Sequence, residues 1–379
     1  MTGKLAGIPY CSDGQIAAAA GKTGKEEKAS PSCPGASRLG SVDTASGVGS
    51  EPFHVSGDVY LAGPYKGAPV SSVVITPALA GPFDLGNVVV RAPIYVDPET
   101  AQLTVRSDPI PTILKGIPLK VRSVAISVDR GQFGLNPTNC EVMSASAAIV
   151  SSDGATANPS NRFQVGNCDA LRFAPKLKLR LKGGTRRNAN PALTATLTQA
   201  PGQANIARVS VALPHSEFLD QRHIKTICTR VQFAANQCPK GSIYGSAEAI
   251  SPLLDAPLTG PAYLRSSNNK LPDLVIALRG PDYLPIEVNL VGRIDSFKGG
   301  IRNSFELVPD APVSKFVLKM QGGKKGLLVN STNICRGKHR AKVKMAGQNG
   351  KLHNFNPPLQ AQCKKKKKRR AGGHKRGKR

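Results

Sequence analysis

Tryptophan is absent from this chain of 379 residues, and aromatic residues make up only 5% of it. This scarcity argues against nucleic-acid-binding modules that stack bases on aromatic side chains. No stretch reaches the roughly eighteen consecutive apolar residues that a membrane-spanning helix needs. The first eleven residues contain no apolar h-region, so they do not resemble a signal peptide.

Motifs of the common catalytic and metal sites are also absent. The chain has no Gly-x-Ser-x-Gly elbow, no His-Glu-x-x-His and no Cys-x-x-Cys, and its 6 histidines are scattered. Gly21-Lys22-Thr23 is similar to the end of a phosphate-binding loop, but Ile16 stands where that motif has its first glycine. Among the 24 acidic residues, no pair is singled out as the two carboxylates of a glycosidase. We therefore predict a protein that is not an enzyme and that needs no metal or cofactor.

The chain does contain cysteines in two matching sets of four: Cys11, Cys33, Cys140 and Cys168, then Cys228, Cys238, Cys335 and Cys363. The last two cysteines of each set have the same separation (140 to 168 and 335 to 363). A Cys-Pro-x-x-Ser-x-x-Gly motif occurs at 33–40 and again at 238–245, and Asn-x-Thr-Asn precedes the third cysteine of both sets. These landmarks predict tandem copies of a whole domain, because a period of about 200 residues is too long for a solenoid.

The cysteines are predicted to form disulfides, which implies an oxidising, extracellular compartment. The favoured connectivity is sequential (11–33, 140–168, 228–238 and 335–363), although each set of four allows three pairings. Zinc binding is the rival interpretation, and the scattered histidines argue against it. Because the disulfides imply export and no signal peptide is present, we expect the true start of the protein to lie upstream of Met1, partway into a domain.

Short runs of Val, Ile and Leu between 38 glycines and 30 prolines predict strands and turns. The fold class is therefore predicted as mainly all-β, with tandem β-sandwich-like, disulfide-framed domains and short helices. The clearest strand is 173–182, which alternates apolar and basic residues and should have a basic outer face. Further strands are predicted at 70–76, 88–92, 103–106, 121–128, 192–198, 207–213, 273–279, 286–294 and 313–319.

Four segments follow from these patterns. Residues 1–168 form the first Cys-framed β unit, truncated at its N-terminal side, and 216–363 form the second. Residues 169–215 are predicted to form a small separate β-sandwich-like subdomain, followed by a short helix at 216–220. Residues 322–326 read as a hairpin turn, and 364–379 as a disordered polybasic tail.

The formal net charge is +28, and the last sixteen residues carry eleven basic side chains and no acid. Without them the chain is still +17 (28 − 11), so the body is basic as well as the tail. This balance predicts a polyanionic partner: an anionic cell-wall polymer, an acidic membrane surface or, non-specifically, nucleic acid. The predicted polyanion-binding residues are Lys364, Lys365, Lys366, Lys367, Lys368, Arg369, Arg370, Lys375, Arg376, Lys378 and Arg379.

Several longer motifs carry a resemblance to a known group of proteins: 257–264 (PLTGPAYL), 271–275 (LPDLV), 308–316 (VPDAPVSKF) and 348–350 (QNG). Residues 63–69, 80–86 and 87–92 of the first copy carry the same resemblance. Over roughly residues 5–363, the chain resembles uncharacterised secreted repeat proteins of actinobacteria. The resemblance implies an exported, all-β, multi-repeat surface protein, and it brings no assigned activity and no catalytic residues.

We therefore predict a non-catalytic, secreted protein of the cell envelope with a structural or adhesive role, tethered by its basic tail to anionic polymers. The alternative is a non-specific nucleic-acid-binding protein that uses the same tail. If the protein is instead a carbohydrate or protein adhesin, Tyr60, Tyr65 and Tyr263 are candidate contacts, although packing beside turns within the repeat is the favoured explanation for them.

Overall fold

The structure, a computed structural model, describes residues 2–363 of the chain. It is mainly β, with two curled half-barrel sheets and a few short helices, and this confirms the predicted fold class. Each α-helix begins with a capping box, in which a Ser or Thr side chain and a Gln or Glu side chain three residues later satisfy each other's backbone N–H groups. The longest helix has 9 residues, and no helix in the described range is long and apolar enough to cross a membrane.

The first sheet has six antiparallel strands in the order β6-β5-β4-β3-β2-β9. Its elements and the hairpins that follow it are α1 (Asp13–Gly21), α2 (Gly24–Ala29), β1 (Thr2–Gly3), β2 (Arg38–Ser46), β3 (Phe53–Ala62), β4 (Val70–Ala80), β5 (Phe83–Val96), β6 (Leu103–Val105), β7 (Ile113–Leu114), β8 (Ile117–Pro118), β9 (Val121–Ser127), β10 (Gly134–Leu135), β11 (Met143–Ser146), β12 (Ile149–Val150), β13 (Thr156–Ala157) and β14 (Ser160–Phe163).

The second sheet has twelve strands in the order β27-β26-β17-β23-β22-β21-β20-β19-β24-β16-β15-β28. The elements of this half are α3 (Arg230–Ala234), β15 (Lys176–Lys182), β16 (Ala192–Thr198), β17 (Ile206–Ala212), β18 (Glu217–Leu219), β19 (Ile243–Ile250), β20 (Leu258–Arg265), β21 (Asp273–Arg279), β22 (Glu287–Phe297), β23 (Gly300–Phe305), β24 (Lys315–Met320), β25 (Leu328–Asn330), β26 (Lys342–Gly347), β27 (Leu352–Phe355) and β28 (Leu359–Ala361). Short 3₁₀ turns occur at Gly35–Ser37, Cys168–Ala170, Gln221–His223, Lys240–Ser242 and Gly323–Lys325.

All the predicted strands are present, but three local predictions need correction. Strands β15, β16 and β17 do not form a small sheet of their own, because each is hydrogen-bonded into the second sheet. Residues 216–220 contain strand β18 instead of a helix, since Glu217–Leu219 pairs with β25. The 322–326 turn joins β24 to β25, which lie in different sheets, so it does not close a hairpin.

The two predicted copies share a structural core. In both, the first cysteine leads into a capped helix, and its amide donates to a strand carbonyl: Cys11 to Leu61 and Cys228 to Leu264, each at 2.8 Å. The strand order β9-β2-β3-β4-β5-β6 of the first sheet matches β24-β19-β20-β21-β22-β23 of the second. The tandem similarity seen in the sequence is therefore a similarity of strand order as well.

Matching glycines mark the same close contacts in both copies. Gly40 on β2 and Gly245 on β19 each lie at a β-bulge and against a carbonyl of the neighbouring strand. One strand further, Gly57 on β3 and Gly260 on β20 each lie against the carbonyl of the next strand. These contacts set the residue-by-residue correspondence of the two sheets.

All four disulfides have the sequential connectivity favoured by the sequence: Cys11–Cys33, Cys140–Cys168, Cys228–Cys238 and Cys335–Cys363. Each joins cysteines with a Cα–Cα distance of 5.1 or 5.7 Å, within the usual range for a disulfide. Within the described residues, no three or more His, Cys, Asp and Glu side chains come together as a metal site could require.

Loss of the Cys335–Cys363 disulfide should destabilise the second sheet by about 3 kcal/mol, because it frees a long loop in the unfolded chain. Both cysteines are exposed, so a Cys335→Ser, Cys363→Ser double variant measures the cross-link with little change in packing. Urea unfolding without reductant provides the measurement. Cys335→Ser alone should lose as much stability as the double variant, and an unchanged midpoint in either would contradict a stabilising cross-link.

Contacts between the two halves are polar and apolar. The backbone N–H groups of Leu5 and Ala6 both donate to the carbonyl oxygen of Leu253, at 2.9 Å. Asp310 accepts hydrogen bonds from Thr138 of the first half and from Asn205 of the second. Val70 packs into the main apolar core of the second half. The two halves are thus joined at several points, most of them in loops.

Candidate functional site

The alternation in β15 places apolar and basic side chains on opposite faces of the second sheet. Leu177, Leu179 and Leu181 are buried and belong to one apolar core. The side chains between and beside them are exposed, and all four are basic: Lys176, Lys178, Arg180 and Lys182. The predicted half-buried strand with a basic outer face is therefore confirmed.

Strand register extends this basic surface across three strands. Lys176 pairs with Thr198 on β16, and Thr198 pairs in turn with Lys315 on β24. A second row runs from Arg180 through Thr194 to Lys319. Directly paired residues of neighbouring strands point to the same side, so six basic side chains share one face. We call Lys176, Lys178, Arg180, Lys182, Lys315 and Lys319 the basic face.

The spacing of this basic face follows from sheet geometry. Successive basic residues along β15 are about 7 Å apart, and β15 and β24 are separated by two strand spacings, about 10 Å. All six side chains are exposed, and none forms an ion pair with another described residue. Threonine hydroxyls stand between the two charged strands. The result is an array of exposed positive charge without ion-pair partners among the described residues, which makes it a candidate surface for a polyanion.

The acidic Glu248 marks one border of the basic face. It lies on β19, where it pairs with Val317 of β24. At the other border, β28 runs parallel to β15, and Gln360 is the partner of Arg180. The described part of the chain ends at Cys363, two residues after β28, and the eleven basic residues of the tail follow from Lys364 onward. Those eleven residues, predicted to bind polyanions, lie outside the described part of the chain.

Beneath the basic face, the curled sheet encloses an apolar cavity of about 200 Å³. The opposite sides of the same strands line it, with Leu179, Leu197 and Phe316 among them. This volume is smaller than the roughly 300–1,000 Å³ of typical small-molecule sites. The cavity is therefore best described as incompletely filled core, and we base no function on it.

A polar cleft of about 450 Å³ lies on the first sheet and includes Tyr60, one of the tyrosines singled out from the sequence. Glu27 at this cleft accepts hydrogen bonds from the backbone N–H and hydroxyl of Ser32, at 2.8 and 2.6 Å. Asp58 pairs with Arg38 at 2.6 Å. Both carboxylates thus have structural partners that hold them in place.

The other two tyrosines also have partners within the fold. The Tyr65 hydroxyl donates to Asp108 at 2.8 Å, and the Arg91 guanidinium lies 4.2 Å from the Tyr65 ring centroid. Tyr263 packs edge-on against Phe233, with ring centroids 6.2 Å apart. These contacts explain both side chains as packing residues, and their role in adhesion stays a prediction.

Glu217 is a buried acid that the sequence did not single out. It lies on β18 opposite Asn330, and its side chain is fully buried. Burial raises the pKa of Glu217 to about 8; the Ser216 hydroxyl acts in the opposite direction but does not offset burial. Neither carboxyl oxygen has a hydrogen-bond partner among the described residues. The group is therefore protonated near neutral pH, and we expect it to affect the stability of the fold.

The sequence missed the part of the basic face that β24 contributes. Residues 315–320 carry basic side chains at 315 and 319, with apolar Val317 between them on the same side of the strand, so the signal was weaker than in β15. The position of β24 one strand away from β15 was not predictable, because over 100 residues separate them in the chain.

Comparison of the chain with protein-family models, with curated proteins and with solved structures finds no match. The resemblance to secreted repeat proteins of actinobacteria therefore stays a prediction.

Proposed function

We propose that this is a non-catalytic, secreted protein that binds anionic polymers of the cell envelope through its basic face together with its polybasic tail. The observation that carries the proposal is the array of six exposed basic side chains on β15 and β24, none of which has an ion-pair partner within residues 2–363. Phosphate-rich polymers bind such arrays electrostatically, with strong dependence on salt.

The extracellular location rests on a separate observation, the disulfides. Four disulfides are typical of proteins that fold in an oxidising, extracellular environment. Attachment to the envelope, and a structural or adhesive role there, are parts of the proposal. The tail alone would suffice for non-specific tethering, but the folded basic face offers the polymer a rigid surface with regular spacing.

Removing three charges from the basic face should weaken binding to poly(glycerol phosphate) by about tenfold to a hundredfold at low salt, since each basic residue near an anionic surface contributes about 1 kcal/mol. The variant is Lys176→Gln, Lys178→Gln, Arg180→Gln. Its affinity is measured by titration at several salt concentrations, and the dependence on log salt should become shallower, by up to about 0.9 per lost phosphate contact.

A matched control removes the same charge elsewhere, through Lys25→Gln, Lys28→Gln and Lys324→Gln, all at exposed positions outside the basic face. If both variants bind equally, the basic face has no special role. A chain ending at residue 363 should retain salt-sensitive binding, whereas loss of all binding would assign it to the tail.

Nucleic acid is the second candidate, because phosphate spacing along a strand of DNA also suits a basic sheet face. Duplex DNA and vesicles containing phosphatidylglycerol, titrated under the same conditions, discriminate the partners. Tighter binding to DNA than to poly(glycerol phosphate) at equal phosphate concentration would favour this alternative over the envelope polymer.

A further inference from the structure

Toward its β9 edge, one face of the first sheet exposes apolar side chains, whereas Val42 further in on the same face is only 2% exposed. Ile126 and Val124 on β9 pair with Val42 and Thr44 on β2. Phe53 on β3 lies on the same side of the sheet. Ile126 is 54% exposed, Phe53 48% and Val124 42%. We call this surface the open face.

The matching face of the second sheet is buried. The glycine correspondence equates Ile126 with Leu318 and Val124 with Phe316. Leu318 is only 8% exposed, compared with 54% for Ile126, and both Phe316 and Leu318 pack in the apolar core. The same position in the same strand order is thus covered in one copy and open in the other.

In the second sheet, the outer edge of β24 is occupied by further strands. On the far side of β24, Phe316 pairs with Leu197 and Leu318 pairs with Ala195, both on β16. Strand β15 follows, and its leucines form a second apolar core that Phe316 also contacts. In the first sheet, no described strand pairs with the outer edge of β9, the equivalent of β24.

The hairpins between the last two cysteines of each copy show the same difference. The turn of β26 and β27 is closed by Gly347 N–H to the Lys351 carbonyl at 2.8 Å, and the turn between β12 and β13 by Ser151 N–H to the Ala155 carbonyl at 2.9 Å. Strand β26 is anchored by pairing with β17. The first hairpin pairs only with itself among the described strands, and it exposes Val150 at 69%.

Among the described strands, the free edge of β9 and the unattached β12–β13 hairpin therefore correspond to β24 and β26, which pair with β16 and β17 in the second copy. We propose that the β9 edge beside the open face is a β-strand acceptor, completed by a hairpin segment outside residues 2–363 with the chemistry of 176–198. That chemistry is aliphatic side chains alternating with hydroxyl or basic ones, and the inner strand would add antiparallel to β9. Main-chain hydrogen bonds along the edge would contribute affinity, and the apolar side chains would provide register.

This inference is independent of polyanion binding, because it uses the other half of the molecule and an apolar surface. It concerns how the protein assembles, and it predicts a strand donor with a specific pattern. It also accounts for the exposed apolar side chains on β9, which a free sheet edge of a soluble protein rarely carries.

The full chain is titrated with a labelled peptide of residues 174–200, which reproduces β15 and β16 of the second copy. Saturable binding is expected, with slower hydrogen exchange at the amides of β9. A peptide with Leu193→Asp and Leu197→Asp should not bind, because carboxylates would replace two of the apolar side chains that face the sheet.

Ile126→Lys in the protein should weaken peptide binding by about tenfold or more, because the substituted side chain faces the docking peptide. Ala125→Lys is the matched control, since Ala125 is exposed on the same strand but pairs with Asp43 on the opposite face. It should bind within about twofold of the unaltered chain.

Two outcomes would overturn the proposal. One is the absence of saturable binding, or binding that Ile126→Lys leaves unchanged. The other is a stable dimer of the unaltered chain that Ile126→Lys converts to monomer, which would make the open face a contact between two copies. Sedimentation velocity on the unaltered chain and both variants distinguishes this second outcome.

Discussion

Gly260→Ala should destabilise the second sheet by about 3 kcal/mol or more, enough to unfold much of it at moderate temperature. A Cβ at this position would lie 1.8 Å from the carbonyl oxygen of Ala277 on the neighbouring strand β21. The obstructing atom is backbone, so no side-chain rotation can relieve the clash. Either the β20–β21 ladder must open, or both strands must move.

Urea unfolding and hydrogen exchange of the β20 and β21 amides would measure this loss. Gly14→Ala is the control, because Gly14 lies in α1 with no atom within 4 Å of an added Cβ. That change should be neutral or stabilising by up to about 1 kcal/mol, since alanine favours helix. Equal midpoints for the two variants would show that β20 and β21 are not as close as the structure has them.

The corresponding Gly57 in the first sheet tests whether the two copies share this constraint. An added Cβ there would lie 2.2 Å from the carbonyl oxygen of Ile75. Gly57→Ala is expected to affect the first sheet in the same way that Gly260→Ala affects the second. The internal similarity of the chain thus predicts that the two substitutions lower the stability of their respective sheets in the same way.

Glu217→Gln should stabilise the protein at pH 8.5 by several kcal/mol and should change its stability little at pH 4. Burial raises the pKa of Glu217 from 4.5 to about 8, so the folded state holds a proton that the unfolded state releases. Stability is therefore full below about pH 4.5, falls as the pH rises toward 8 and then levels off. With about 1.4 kcal/mol for each pH unit, the total loss is on the order of 5 kcal/mol.

Glutamine removes this titration while preserving the shape of the side chain. The measurement is the free energy of unfolding in urea at intervals between pH 4 and pH 9, and the variant should lose most of the decline above pH 4.5. Glu141→Gln serves as the control because Glu141 is exposed, and it should follow the pH profile of the unaltered chain. Parallel profiles for Glu217→Gln and the unaltered chain would show that Glu217 is not buried in solution.

Local patterns were enough to predict most of the strands. The alternation in 173–182 predicted both the buried leucines and the basic outer side of β15, because a strand places successive side chains on opposite faces. The paired spacing of cysteines predicted disulfide connectivity, since each pair lies within one segment of about 10 to 28 residues and closes a local loop. Where the sequence contained a weaker signal, as at 216–220, the segment pairs with a distant strand and becomes β18 instead of a helix.

By itself, the sequence determined the mainly β class, the tandem similarity and the strand faces, because all three arise from residues close together in the chain or from repeated motifs. Only the tertiary structure decided which strands are neighbours. It placed β24 beside β16, so that Lys315 and Lys319 complete the basic face, and it gave the outer edge of β9 no partner strand in the described part of the chain. The physical reason is that strand pairing joins residues far apart in sequence, and their choice of partner depends on which faces and edges remain to be covered once the whole sheet has formed.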